Sequence, residues 1–264
     1  MKKLLIIFTT VLTVFLGSCS NDNELILFAG TTLEGSGFLE YILPHFEEKY
    51  DIDVSVIALG TGAALELAST GNADILFVHD SSAELQFIED GYGVKRDDVM
   101  YNDFIFVGPL GTAFDSIEDA LAYISNGEHT FYSRGDLSGT HMKELYIWET
   151  SGYNPSTFGS WYNETGQGMS ATLSMTNLNE DSFTLVDRAT YLMMTNESFN
   201  LTAVYDDFDS MLNQYGIVLV NSDLHSRDTT NANLFYDWIL SEEAQILIAA
   251  FRIDNQTVFY VNED

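Results

Sequence analysis

Short apolar runs alternate with helix-period runs along nearly the whole chain, which predicts an α/β fold of mainly parallel sheets flanked by helices. The alternation restarts near residue 108 and returns to its earlier strand type near residue 213, which predicts two lobes with the chain crossing between them. The glycine- and hydroxyl-rich segments precede helices, three of them directly after strands, where α/β sheets collect ligands.

Element by element, "ELILFAG" (24–30) reads as a buried strand leading through Thr31-Thr32 into a helix over 36–50, with Pro44 inside it. A strand over 53–60, a helix over 61–70 closed by Gly71, and a strand over 73–79 follow. Residues 81–91 predict a helix capped by Ser81 or Ser82 and ended by Gly91. Next comes a long apolar strand, 101–109, without a neat partner. The rhythm restarts with a helix over 116–127, a strand over 129–133 and a helix over 138–152 whose N-cap is Ser138. A looser stretch, 158–175, places Trp161 and Tyr162 with Trp148 in the second core and runs into a strand over 182–186 and a helix from Asp187. A strand over 215–221 and one or two helices within 233–251 complete the pattern. The expected division sets 24–107 with 214–264 as lobe 1 and 108–213 as lobe 2.

The N-terminal residues are expected to lie outside the fold. Lys2 and Lys3 precede an apolar run from Leu4 to Leu16, followed by Leu16-Gly17-Ser18-Cys19. This resembles a bacterial lipoprotein signal peptide (1–18), cut before Cys19, with lipid added to the Cys19 sulfur and residues 19–23 as a tether. The diacyl group of such an anchor holds stably where one chain would not. Cys19 is the one cysteine of the chain, so the sequence offers neither a disulfide framework nor a cysteine-ligated metal.

The whole chain carries a formal charge of −30, and without residues 1–18 the 8 Lys and Arg face 40 Asp and Glu, for −32. A surface this acidic repels phosphate backbones, which argues against nucleic-acid partners. It also resembles proteins of saline surroundings, where short screening lengths let acidic side chains crowd.

Against this acidity, "SRGDLSGTH" (133–141) sets an arginine among hydroxyls and glycines at a helix start. Its Arg-Gly-Asp tripeptide matches an adhesion signal, but three residues recur by chance. Three more segments repeat the chemistry: "AGTTLEGSG" (29–37), "ALGTGAA" (58–64) and "ETGQGMSA" (164–171). Their glycines let backbone N–H groups approach a ligand, and each opens a helix whose positive end favours an anion. Arg134 adds a permanent charge and a planar fork suited to oxyanions. Hydrogen phosphate needs an acceptor, whereas sulfate, molybdate and tungstate want donors only. The threonine- and glycine-rich turns hold no acid, and Asp136, with Glu34 the weaker candidate, is the nearby acceptor, which favours a proton-free oxyanion.

With these residues assembled, the chain resembles the tungstate-binding proteins of ABC transport systems. The likeness runs over nearly all of the chain beyond the leader, through "GSGFLEYILPHFE", "IALGTGAALEL", "GNADILFVH", "GYGVKRDDVMYNDFIFVGP", "SRGDLSGTHMKELYIW", "WYNETGQGMSATL" and "YGIVLVN". It implies a two-lobed, type II periplasmic-binding-protein fold that holds a tetrahedral oxyanion between its lobes and delivers it to a permease driven by an ATPase subunit. It implies an exported, membrane-anchored monomer with no cofactor and no metal-cation site, whose ligand is tungstate or molybdate. Position by position it points to Thr31 and Thr32, Thr61 and Gly62, Arg134, Ser138, Gly139 and Thr140, and Gly168 and Met169. Leu33 and Glu34 stand where the family commonly adds a further hydroxyl, which leaves the donors of the first loop open.

Other classes fit less well. His79-Asp80-Ser81-Ser82 and Thr140-His141 hold nucleophile and base types, but no Gly-x-Ser-x-Gly elbow is present, and both histidines are expected in ordinary capping roles. His45, His79, His129, His141 and His225 show no metal-ligand spacing. The same fold with molybdate, phosphate or sulfate, and a tethered sensor or adhesion protein, remain the alternatives.

Overall fold

The computed structural model describes residues 23–195, 199–208, 210–224 and 228–262. The expected leader, the Cys19 anchor, the tether apart from Asn23, and His225 lie outside the described residues.

Three parallel strands open the structure. Strand β1 (Glu24–Gly30) leads into a short helix α1 (Thr31–Gly35) and then α2 (Phe38–Tyr50), which returns the chain to β2 (Asp53–Leu59). Helix α3 (Thr61–Ala68), β3 (Ile75–Val78) and α4 (Ser81–Glu89) complete this run. Each return needs a helical crossover, so β1 pairs in parallel with both β2 and β3. The helix expected over 36–50 is preceded by α1, because Gly37 at φ 75° turns the chain between the two. Pro44 stays inside α2, and Asp80 rather than Ser81 or Ser82 caps α4, accepting from the Ala83 N–H at 3.0 Å.

Strand β4 (Gly93–Pro109) is seventeen residues long and spans both halves of the molecule. The remaining elements are α5 (Ile117–Ile124), β5 (Thr130–Ser133), α6 (Gly139–Thr150), β6 (Tyr162–Glu164), α7 (Met169–Leu178), β7 (Ser182–Asp187), α8 (Arg188–Met194) and β8 (Leu201–Tyr205). The chain returns through β9 (Leu212–Val220) to α9 (Thr230–Ile239), α10 (Glu242–Ala250), the hairpin β10 (Arg252–Ile253) and β11 (Gln256–Thr257), and β12 (Tyr260–Val261). Strand order is β2-β1-β3-β9-β4-β7-β5-β6, with β8 and β12 also on β4. The outer strands are parallel, as expected. The crossing strands β4 and β9 run antiparallel to each other over Gly93–Asp103, and β4 then pairs antiparallel with β7 and β8. Thus the strand without a neat partner in the sequence is the one with most partners, because it carries the chain from one half to the other.

Alternation along the central strands feeds cores on both faces. Ile75 and Phe77 of β3 join α2, α9 and α10 residues such as Phe38, Phe46 and Trp238, while Leu76 and Val78 face Phe28, Leu65 and Phe87. The second half repeats the rule on β4. Phe104 and Phe106 meet Phe131, Trp148 and Phe183, whereas Ile105 and Val107 meet Met169 and Leu173. Trp148 is fully buried, with Trp161 and Tyr162 packed against the same cluster, as read from the aromatic stretch.

Gly108 lies where β4 threads the second core. A Cβ there would collide with the Phe183 ring and sit 3.2 Å from Val204 Cγ1. Gly108→Ala is expected to cost about 1–3 kcal/mol in urea unfolding through overpacking. Gly35→Ala, which meets nothing within 4 Å, should stay within about 0.5 kcal/mol of the parent.

Candidate functional site

The loops that follow β1, β2 and β5, and the one before α7, come together around Arg134. Arg134 follows β5 directly and is 7% exposed. Its Nε and Nη2 donate to Asp136 Oδ2 at 3.1 and 2.6 Å, and Asp136 Oδ1 accepts the Ser138 N–H at 3.1 Å. Burial would raise the Asp136 pKa, but the Ser138 hydrogen bonds and the Arg134 charge outweigh it and hold the carboxyl below its ordinary value. The one nearby acceptor foreseen from the sequence therefore has both oxygens engaged within its own loop. That loop is tightly shaped. Gly135 sits at φ 62°, where a Cβ would lie 2.5 Å from Glu164 Cβ, and the exposed Leu137 takes a left-handed φ of 58°.

Ser138 caps α6 as expected, accepting the His141 N–H at 3.4 Å. Next to it begins α3. A Cβ on its N-cap Gly60 would be 3.9 Å from Ser138 Cβ, and one on Gly62 would be 3.9 Å from the Leu137 carbonyl. Thr61, 1% exposed, holds a hydroxyl with no hydrogen-bond partner among the described residues. Such a buried orphan is costly unless a ligand satisfies it.

The N-caps of α1, α3 and α7 are Gly30, Gly60 and Gly168, and none supplies a side-chain cap. By contrast α4, α5, α6, α8 and α10 are capped by Asp or Ser side chains. Bare glycine caps leave first-turn N–H groups unclaimed, with the helix dipole behind them. Beside the starts of α1 and α7 lies a cavity of about 400 Å³ lined by Thr31, Thr32, Arg134, Gly168, Met169 and Thr190, among others. Five of the ten residues foreseen thus share one cavity. The other five, Thr61, Gly62, Ser138, Gly139 and Thr140, do not line it; Thr61 and Gly62 pack against the same Arg134 loop, and Ser138 and Thr140 are buried. Among the described residues no group of His, Cys, Asp or Glu could hold a metal ion.

Residues 17–243 match a family model described as a PBP superfamily domain. The tungstate-binding protein TupA of Peptoclostridium acidaminophilum is 39% identical, with 95% of this chain and 94% of the relative covered. The protein of that name from Campylobacter jejuni is 36% identical, with 87% of each covered. A crystal structure described as the tungstate ABC transporter from Geobacter sulfurreducens shares 37% identity at a TM-score of 0.79, over 86% of this chain and 98% of that one. The chain belongs to the PBP superfamily, within the TupA family of tungstate-binding proteins.

In this PBP superfamily chain two important side chains escaped the sequence reading. Asp187 ends β7, is 1% exposed and accepts from Thr32 Oγ1 at 3.2 Å, 155 residues away. The helix expected from Asp187 is there, with Asp187 as its N-cap, but nothing in the sequence signalled a partner in α1. His79, expected in a capping role, is instead a wedge. Its ring packs against Gly30 and Gly139, where Cβ atoms would approach it to 3.2 and 2.8 Å, and Nδ1 donates to Asn213 Oδ1 at 3.0 Å. Asn213 Nδ2 in turn donates to Asn102 Oδ1 at 2.7 Å.

Burial pushes the His79 pKa down to about 4, with the Asn213 hydrogen bond opposing and the Arg134 charge reinforcing the fall. The unfolded chain then binds more protons below its ordinary value of 6.5, so stability from this group is complete above pH 6.5 and declines toward pH 4. Urea unfolding between pH 7 and 5 should show a slope that His79→Gln lessens, by up to about 1.4 kcal/mol per pH unit. An unchanged slope in the variant would contradict the assignment.

Proposed function

We propose that this chain binds a tetrahedral, proton-free oxyanion, tungstate, and hands it to an ABC permease and its ATPase subunit for uptake. The observation that carries this reading is the Arg134 loop. A buried guanidinium faces a cavity while its neighbouring acid is consumed by Arg134 and the Ser138 N–H; the uncapped starts of α1 and α7 line that cavity, and the uncapped start of α3, with the orphan Thr61 hydroxyl, lies against the same loop. At the Arg134 loop the donors stand beside an acid whose oxygens are already engaged, which suits an anion that carries no proton. The names of the relatives support the same ligand and the same transport role.

Nanomolar binding needs about 12 kcal/mol, and hydrogen bonds to a charged group supply roughly 1.5–3 kcal/mol each before association entropy is subtracted. Half a dozen donors with Arg134 meet that requirement. The ligand is held between lobes divided at 24–107 with 214–264 against 108–213, so that bridging donors from both favours closure. Export as a monomer anchored through lipid on Cys19 would keep the protein at the membrane that holds its permease.

Calorimetry on the chain from residue 20 onward, with tungstate, molybdate, sulfate and phosphate at matched salt, tests the reading. Tight one-to-one binding of tungstate with phosphate silent is expected, and Arg134→Ala should cost about 2–5 kcal/mol of it. Binding of phosphate alone would overturn the choice of anion, and silence from all four would overturn the function.

A further inference from the structure

Two threonines on the cavity wall have already spent their hydroxyl protons. Thr32 of α1 and Thr190 of α8 both line the cavity, and both donate to the same atom, Asp187 Oδ2, at 3.2 and 2.6 Å. Asp187 Oδ1 accepts the Thr190 N–H at 2.8 Å, so the carboxylate holds three donors while almost wholly buried. Among the described residues it has no ion-pair partner; Arg134 acts on it only through its charge. A hydroxyl has one proton. With that proton turned toward Asp187, each threonine can offer the cavity only lone pairs, which repel a fully deprotonated oxyanion.

We propose that Asp187 is a specificity-determining, positioning residue that sets an upper limit on oxyanion affinity by withdrawing the Thr32 and Thr190 protons from the ligand. This rests on the oxyanion reading above. It assigns both threonine hydroxyls the same role, as donors to Asp187 and not to the ligand. A buried carboxylate beneath an anion site also opposes the ligand directly through its charge. Both effects have the same sign, and both serve a carrier that must release its cargo as well as capture it.

The sign makes the proposal testable, since damage to a structural residue loosens binding. Asp187→Asn keeps an oxygen to cap α8, a position asparagine fills well, while its amide N–H groups donate to the threonine hydroxyls and free their protons for the cavity. Tungstate titrations of the parent chain, Asp187→Asn, Thr32→Val and the double variant form a cycle, with melting of the free proteins alongside. Asp187→Asn should bind tungstate about tenfold more tightly, the gain from one or two hydrogen bonds to a charged group. Thr32→Val should remove much of that gain in the Asp187→Asn background. Looser or equal binding by Asp187→Asn, with the parent binding normally, overturns the proposal. If Asp187→Asn fails to fold, Thr32→Val decides alone, a loss beyond about tenfold showing that its hydroxyl donates to the ligand. A parent chain that binds none of the oxyanions fails the functional reading itself, and the proposal falls with it.

Discussion

A guanidinium that is 7% exposed must be paired, and how Arg134 is paired shapes everything around it. Asp136 binds two of its nitrogens from within the same loop and spends its other oxygen on the Ser138 N–H. The cation is thereby anchored without being screened by a free acid, and the loop is pulled into the left-handed turns at Gly135 and Leu137. Packing follows from that shape. The turn presses Gly135 on β6, and the loop beyond it sets Leu137 and Ser138 against the start of α3.

The second constraint is mechanical. One strand, β4, contributes alternate side chains to cores in both halves, and β9 runs back beside it. Asn102 and Asn213, on these two strands, are joined by a hydrogen bond and hold His79, whose ring touches glycines at the starts of α1 and α6. Crossing strands, their buried amides and the site loops are thus one contiguous network. The histidine is kept neutral by burial, so it positions the loops without adding a second charge to the site.

The charge of the chain and the charge of the site oppose each other. A formal −30 disfavours an approaching anion, yet exposed charges are screened by salt over about 8–10 Å, whereas donors in contact with the ligand are not. Short-range donors decide the outcome. Asp187 is the exception, an acid at the site itself, and its three hydrogen bonds from Thr32 and Thr190 show where its charge is spent.

Thr31, Thr32, Gly168 and Met169 were named through the resemblance, and the fold brings them with Arg134 to one cavity. The α/β rhythm and the N-cap at Ser138 were legible from residue order, because strand-to-helix turns and caps are local chemistry in which neighbours in sequence are neighbours in space. The same holds for Asp136, whose partners lie two residues to either side. Strand β4 was half visible: its 101–109 segment is apolar, but "VKRDD" (94–98) received no element, and β9 supplies the ladder that makes it strand. The Thr32–Asp187 and His79–Asn213 pairs join residues 155 and 134 apart, and nothing local distinguishes a helix-capping aspartate from one that also holds a distant threonine. The sequence by itself determined which chemistry the loops could offer. Tertiary structure alone decided which of those hydroxyl protons are still free, because a hydrogen bond is settled by whatever the fold brings within 3 Å.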